Sequence, residues 1–324
     1  MTLVLSAHKR DTVFQVGDRL VSVALGSRLQ PWDVMTNKTV VYLGTDGIAA
    51  IGFSGRARLE GKRTDLWIVE QLVGMDLDDD GSLVFFDGGR GPKSVYVALG
   101  IIREEAERAF SALRGQRHTR HSFVFSGWQR RRRNEAQPFL WRLDNVPSQP
   151  ERFAMTNLLR DSPDWLHRIS LTPVGTFDET DMDELLGDLK GGHSRDSFER
   201  RLVEAIRRTA SKLPGVGRDC LSVQIRPDAD PSVRIRFMPM SEAVFSTKDD
   251  QGKPRSLSYV FSPWLVGDGA AMPPNLMVGH PGMFGVGGLT CAFESPITAD
   301  TPGYGLSMHS VNELRRAVYG PSRS

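Results

Sequence analysis

The order of strand-like and helix-like segments constrains this 324-residue chain more than any single motif. β-branched runs come first, then two stretches with helical spacing of apolar residues, then strands, a third amphipathic stretch and further strands. A parallel sheet would require strands and helices to alternate, and here they do not. The order therefore predicts an α+β fold in which two central antiparallel sheets are sandwiched by helices, a four-layer α-β-β-α arrangement.

The individual segments follow from local patterns. The N-terminal segment, up to Gly55, contains four predicted strands in two hairpins, each with a polar or Gly/Asp-rich turn. These strands are predicted at 3–5, 12–16, 39–43 and 48–53. Helices are predicted over 57–72, 95–113, 196–212 and 311–318, and later strands over 123–125, 139–141, 221–225 and 233–237.

The composition changes near residue 246, where Gly, Pro and Met become frequent and periodicity is lost. A chain of this length also exceeds what one core usually supports. We therefore expect a main domain over 1–245 and a loop-rich C-terminal extension, rich in Gly, Pro and Met, over 246–324.

Composition excludes several classes of function. The net charge is +2, so no global field favours nucleic acid or membrane, and neither is expected as a partner. The first residues do not form a signal peptide, because the charged residues follow the short apolar stretch. The two cysteines, Cys220 and Cys291, lack metal-ligand spacing and fit a reducing compartment. These features predict a cytoplasmic protein.

Four features of this N-terminal segment carry the candidate chemistry. Thr2 follows Met1, Asp18 ends the second strand, Lys38 opens the third, and Gly52–Gly55 ends the fourth. A threonine hydroxyl is a weak nucleophile that needs an adjacent base. If Met1 is removed, the α-amine of Thr2 can be that base, with a reference pKa of about 7.7. A nearby lysine cation lowers the pKa of such an amine, because it disfavours a second positive charge.

This order and spacing resemble the proteasome β-subunits and their bacterial relatives, a family of N-terminal-nucleophile hydrolases, over roughly the range 1–240. The resemblance implies hydrolysis of an amide bond in a peptide or small amide, through an acyl-enzyme on Thr2. It also implies that Asp18 and Lys38 are catalytic and that the backbones of Gly52 and Ser22 contact the oxyanion or substrate. No cofactor is expected, and the protein is expected to form a homo-oligomer.

The chain departs from the family pattern at two places. Leu20 stands where the family commonly carries an arginine, and the segment 211–219 lacks an acid at the matching position. Asp219 lies several residues later, and Thr176 corresponds to a supporting serine of the family. An alternative function therefore stays open: a catalytically silent, proteasome-like assembly or interaction subunit.

Two further patterns have a second interpretation. Asp76, Asp78, Asp80 and Asp87 match part of a calcium-binding loop, but the final Glu is missing and an acidic turn is favoured, so no metal is expected. The run Arg130–Arg133 could bind phosphate, RNA or an acidic partner, although a solvated hairpin tip is the default for such a run.

Overall fold

The structure is a computed structural model, and it describes residues 2–25, 28–33, 37–77, 84–85, 93–113, 120–130, 136–159, 169–191, 193–226, 232–238, 246–248, 254–256, 263–267, 270–272, 274, 284–286, 289–294 and 304–310. The helices in these ranges are α1 (Thr64–Val73), α2 (Val95–Ala112), α3 (Glu179–Leu189) and α4 (Arg195–Lys212).

The described strands are mostly short. They are β1 (Leu3–Lys9), β2 (Thr12–Asp18), β3 (Val21–Leu25), β4 (Arg28–Asp33), β5 (Thr39–Leu43), β6 (Gly47–Ser54), β7 (Arg58–Leu59), β8 (Lys62–Arg63), β9 (Val84–Phe85), β10 (Ser122–Arg130), β11 (Ala136–Val146), β12 (Gln149–Asn157), β13 (Ile169–Gly175), β14 (Cys220–Ile225), β15 (Val233–Met238), β16 (Ser246–Lys248), β17 (Pro254–Ser256), β18 (Trp264–Gly267), β19 (Ala270–Met272), β20 (Phe284–Val286), β21 (Leu289–Glu294) and β22 (Tyr304–Ser310).

Most strands belong to two eight-stranded sheets. The first sheet has the order β13-β1-β2-β14-β15-β22-β21-β20, and its described pairs are antiparallel. The second has the order β12-β11-β10-β6-β5-β18-β19-β9, in which β18 joins β5 in parallel. The remaining described strands form the two-stranded ribbons β3-β4, β7-β8 and β16-β17.

Strand alternation directs apolar side chains to both faces of each sheet. In β1, Leu3 and Leu5 join a buried cluster with α3 and α4, whereas Val4 packs between the sheets against Val124 of β10. In the second sheet, Ala49 and Ile51 of β6 pack with α1 and α2. The described residues therefore form a mixed α/β fold with two large sheets and four helices.

The hairpins β1–β2 and β5–β6 confirm the strands predicted in the N-terminal segment, and α2, α4, β10, β11, β14 and β15 confirm later predictions. The predicted helix over 57–72 is wrong in its first part, which forms the β7–β8 ribbon before α1 begins. The ribbon turns at Glu60 and Gly61, whose φ angles are 49° and 80°. Residues with positive φ cannot continue a right-handed helix.

Sequence patterns missed β3, β4, β12, β13 and α3, and also the described strands after 245. Two of these later strands extend the sheets, β18 beside β5 and β22 beside β15. Strands this short form by pairing with an existing sheet edge, because they are too short to show a periodic pattern in their own sequence. The domain boundary at 245 stays a prediction, and the helix predicted over 311–318 lies outside the described residues.

No helix in the described part of the chain combines the length and the apolar character needed to cross a membrane.

Candidate active site

Three strand ends from two sheets meet at one end of the molecule. Thr2 directly precedes β1, and Asp18 ends β2, which lies antiparallel beside β1 in the first sheet. Lys38 directly precedes β5 in the second sheet. Because the two sheets pack face to face, the lysine reaches across the interface to the two first-sheet residues.

The lysine ammonium joins the three side chains. Lys38 Nζ donates to Thr2 Oγ1 at 2.9 Å and to the two carboxylate oxygens of Asp18 at 3.1 Å each. It also donates to the backbone oxygen of Leu20. Both charged residues are buried, at 2% exposure for Lys38 and 0% for Asp18. An ammonium group has donors only, so in this arrangement Lys38 can stabilise charge at Thr2 but cannot accept its proton.

Backbone amides satisfy the buried carboxylate of Asp18. Leu3 N donates to Oδ1 at 2.8 Å, while Leu20 N and Gly217 N donate to Oδ2 at 3.2 Å and 2.9 Å. Gly217 lies in the segment between α4 and β14, so Asp18 connects that segment to the start of β1. A buried charge is tolerated where an opposite charge and hydrogen bonds surround it.

The end of β13 holds the backbone of Thr2. Thr176 N donates to the Thr2 carbonyl oxygen at 3.1 Å. The preceding Gly175 has a φ of 113°, and a Cβ built there would lie 1.8 Å from that carbonyl oxygen. The position therefore requires glycine, and the structure brings the main chain of Thr176 to Thr2. The supporting role of the Thr176 side chain stays a prediction.

The other sequence-predicted positions lie around these three residues. Gly52 is an interior position of β6, paired with Thr39 and Val124, where a Cβ would come within 3.0 Å of Val4, Gln15 and Val124 atoms. Ser22 lies in the β3–β4 ribbon that follows Asp18. Asp219 contributes its backbone oxygen, which accepts from Arg19 N at 3.2 Å. The oxyanion, substrate and supporting roles of these residues stay predictions.

Sequence reasoning missed Gln15, whose side chain connects the two sheets next to the site. Its Nε2 lies 3.1 Å from Ser6 Oγ in the first sheet, and 3.2 Å from Ala50 O and 3.0 Å from Ser126 Oγ in the second. Gln15 is fully buried. The only signal in the sequence is one amide side chain at an inward position of a strand that is otherwise apolar on that face.

The described residues contain no group of three or more His, Cys, Asp or Glu side chains able to hold a metal ion. Of the calcium-loop candidates, Asp76 is exposed and pairs with Lys62 at 2.8 Å, whereas Asp78, Asp80 and Asp87 lie outside the described residues. Arg130 ends β10, and the other three arginines of its run also lie outside them.

No protein-family model matches the chain, and no curated protein matches it. Among solved structures, the chain is similar to an Anbu (Gly-1) mutant from Hyphomicrobium sp. strain MC1, with 13% identity over 70% of this chain and 82% of that one and a TM-score of 0.42. Anbu from the same strain is 13% identical over 69% of this chain and 82% of that one, with a TM-score of 0.41. Anbu (ancestral beta-subunit) from Yersinia bercovieri is 12% identical over 69% of this chain and 82% of that one, with a TM-score of 0.43. The geometry of the site, rather than these likenesses, carries the proposal that follows.

Proposed function

We propose that this protein is an amide-bond hydrolase whose nucleophile is Thr2, made N-terminal by cleavage of the Met1–Thr2 bond. The observation that carries the proposal is the 2.9 Å contact between Lys38 Nζ and Thr2 Oγ1, made by a lysine that also pairs with buried Asp18. These residues stand far apart in the sequence, so their meeting supports a shared chemical role over three separate solvated surface roles.

The mechanism assigns the base to the new α-amine of Thr2. The positive charge of Lys38 lowers the pKa of that amine and keeps a larger share of it neutral near pH 7. The neutral amine accepts the proton of Thr2 Oγ1, and the oxygen attacks the carbonyl carbon of the substrate amide. The amine then returns this proton to the leaving nitrogen, which leaves an ester on Thr2. Water hydrolyses the ester with the same amine as base, releasing the acid and restoring the hydroxyl.

Charge that develops on the carbonyl oxygen needs donors fixed in advance. The proposal assigns this role to the backbone N–H of Gly52, with the backbone of Ser22 aligning the substrate. Thr176 and Asp219 are assigned supporting roles near the amine. The four-layer α-β-β-α architecture over 1–245 is part of the same proposal, supported by apolar clusters that join α1 and α2 to the second sheet and α3 and α4 to the first.

The substrate class is a peptide or a small amide, since one nucleophile arrangement serves both. We also propose that the protein is cytoplasmic and acts as a homo-oligomer. Light scattering on untagged protein at micromolar concentration tests the assembly, and a monomer would contradict it.

Covalent labelling tests the chemistry. Untagged protein is incubated with a threonine-directed epoxyketone and its mass is measured. We expect one adduct on the wild type, none on Thr2→Ala because no hydroxyl remains, and partial labelling of Thr2→Ser. Thr156→Ala, an exposed change on β12, is the matched control and should label as the wild type does. If protein with a free Thr2 takes no label, the silent-subunit alternative replaces the hydrolase.

A further inference from the structure

The end of the first sheet opposite Thr2 carries a cluster of cations. β1 ends at Lys9, and Arg10 begins the turn into β2. β14 pairs with the start of β2 through Ile225 and Val13, so Arg226 follows at the same end of the sheet. These residues come from two separate hairpins, and the fold is needed to bring them together.

A cleft of about 750 Å³ opens at this end, between the β1–β2 turn and the start of α4. Lys9, Arg10 and Arg195 line it, together with His193 and Ser194. The N-terminus of α4 adds a partial positive charge at the same place. Three cationic side chains and a helix N-terminus therefore surround one concave space.

The positive charge of the cleft exceeds what its carboxylate neutralises. Asp11 is the acidic residue of the lining, and its carboxylate pairs with Arg195. Lys9 Nζ donates to His193 O at 3.0 Å and lies 4.9 Å from the ring centroid of Phe198. Within the described ranges, neither Lys9 nor Arg10 forms an ion pair with a carboxylate.

The lowered pKa values of the neighbouring cations agree with this excess of positive charge. Partial burial lowers the pKa of Lys9, and the charge of Arg10 lowers it further. Partial burial also lowers the pKa of Arg226, and the charges of Arg195 and Arg234 add to that effect while Asp11 opposes it. Cations whose charged forms are disfavoured by other cations gain stability when an anion enters.

Arg10 occupies a backbone conformation that does not suit arginine. Its φ is 52°, in the left-handed region that glycine, asparagine and aspartate adopt most readily. A residue with a Cβ is disfavoured there because the Cβ crowds the following carbonyl oxygen. Residues that break a local rule of this kind are expected at functional or strained sites.

We propose that this cleft binds a multiply charged phosphate or diphosphate group, held by Lys9 and Arg10 with Arg195 at its rim. A bounded cleft lined by three cations fits a group of concentrated negative charge better than an extended acidic chain. The proposed site is separate from Thr2, so it stands or falls independently of the hydrolase proposal.

The test is calorimetric titration of the full chain with inorganic pyrophosphate in about 150 mM salt, where a Debye length of about 8 Å screens weak surface attraction. Arg10→Gly removes the guanidinium and relieves the positive-φ backbone, so its unfolding temperature should stay equal or rise. Its affinity for pyrophosphate should fall at least about tenfold, the loss of one charge-assisted hydrogen bond. Arg108→Ala, an exposed change on α2, should bind as the wild type does.

Three results would overturn the proposal. The first is a wild-type protein that takes up no pyrophosphate in this salt. The second is an Arg10→Gly variant that binds it as tightly as the wild type. The third is a polyglutamate peptide that binds more tightly than pyrophosphate and depends on Arg10, which would assign the cleft to an acidic chain.

Discussion

Replacing Lys38 by Met removes the cation that joins Thr2 to Asp18 while keeping a side chain of similar length. Asp18 would keep its three backbone donors, from Leu3, Leu20 and Gly217, but would lose its only described ion-pair partner while 0% exposed. Breaking a buried pair by removing one partner costs about 3–5 kcal/mol of the free energy of unfolding. The three amides retain part of the stabilisation, so we expect a loss of about 3 kcal/mol.

The same substitution should change the chemistry of Thr2. The ammonium lies 2.9 Å from Thr2 Oγ1, which puts it about 5 Å from an α-amine on the same residue. At about 5 Å and an effective dielectric constant of about 20, Coulomb's law gives about 3 kcal/mol, or about 2 pKa units. The carboxylate of Asp18, which pairs with the lysine, opposes part of this effect, so the pKa of the amine should rise by about 1–2 units when the lysine charge is removed.

The assay is the rate of epoxyketone labelling as a function of pH, measured with chemical denaturation of the same protein. Lys38→Met should shift the rising limb of the rate profile to higher pH by about 1–2 units. Lys38→Arg retains the charge and should shift it less. An unchanged profile in Lys38→Met protein that remains folded would refute the electrostatic role assigned to the lysine.

Three further changes have predicted outcomes. Gly175→Ala would place a Cβ 1.8 Å from the Thr2 carbonyl oxygen, so it should cost at least about 2 kcal/mol of unfolding free energy and most of the labelling. Gly187→Ala, which has open space on α3, should instead stabilise the fold by about 0.5–1 kcal/mol, and denaturation of both variants checks this pair. Gln15→Leu should lower stability by about 1–3 kcal/mol and slow labelling, because the Gln15 amide connects the two sheets beside the site. Gln129→Leu loses a hydrogen bond to Asp46 at the other end of the sheet and should leave the labelling rate unchanged. Burial lowers the pKa of His121 from 6.5 to about 3, so the unfolded chain binds a proton first. Stability should therefore fall as pH drops from 6.5 towards 3, with His121 contributing up to about 1.4 kcal/mol per unit. His121→Gln should reduce this fall and leave the part due to His8, whose pKa burial lowers to about 4; denaturation at several pH values checks it.

The local patterns of the N-terminal segment were enough to predict the hairpins, and with them the positions of Thr2, Asp18 and Lys38 at strand ends. Alternating apolar residues fix which way each strand faces, and the order of strand ends then limits where their polar neighbours lie. The resemblance to a known family supplied the reason to read those three residues together.

Contacts that depend on tertiary structure could not be predicted in this way. Gly217 reaches Asp18 from a loop far along the chain, and a lone glycine gives no sign of its partner. Gln15 gave only an unexplained amide on an apolar strand face. The sequence contains even less signal for the C-terminal strands, because β18 and β22 pair with the edges of sheets that earlier residues form.

The identity of the first residue in the mature protein tests the central claim most directly. The α-amine can serve as base only if Thr2 is N-terminal, and threonine is small enough for methionine aminopeptidase to cleave the Met1–Thr2 bond. Intact-mass measurement of untagged protein is expected to give a chain that begins at Thr2. A chain that retains Met1 as its main form would contradict the mechanism.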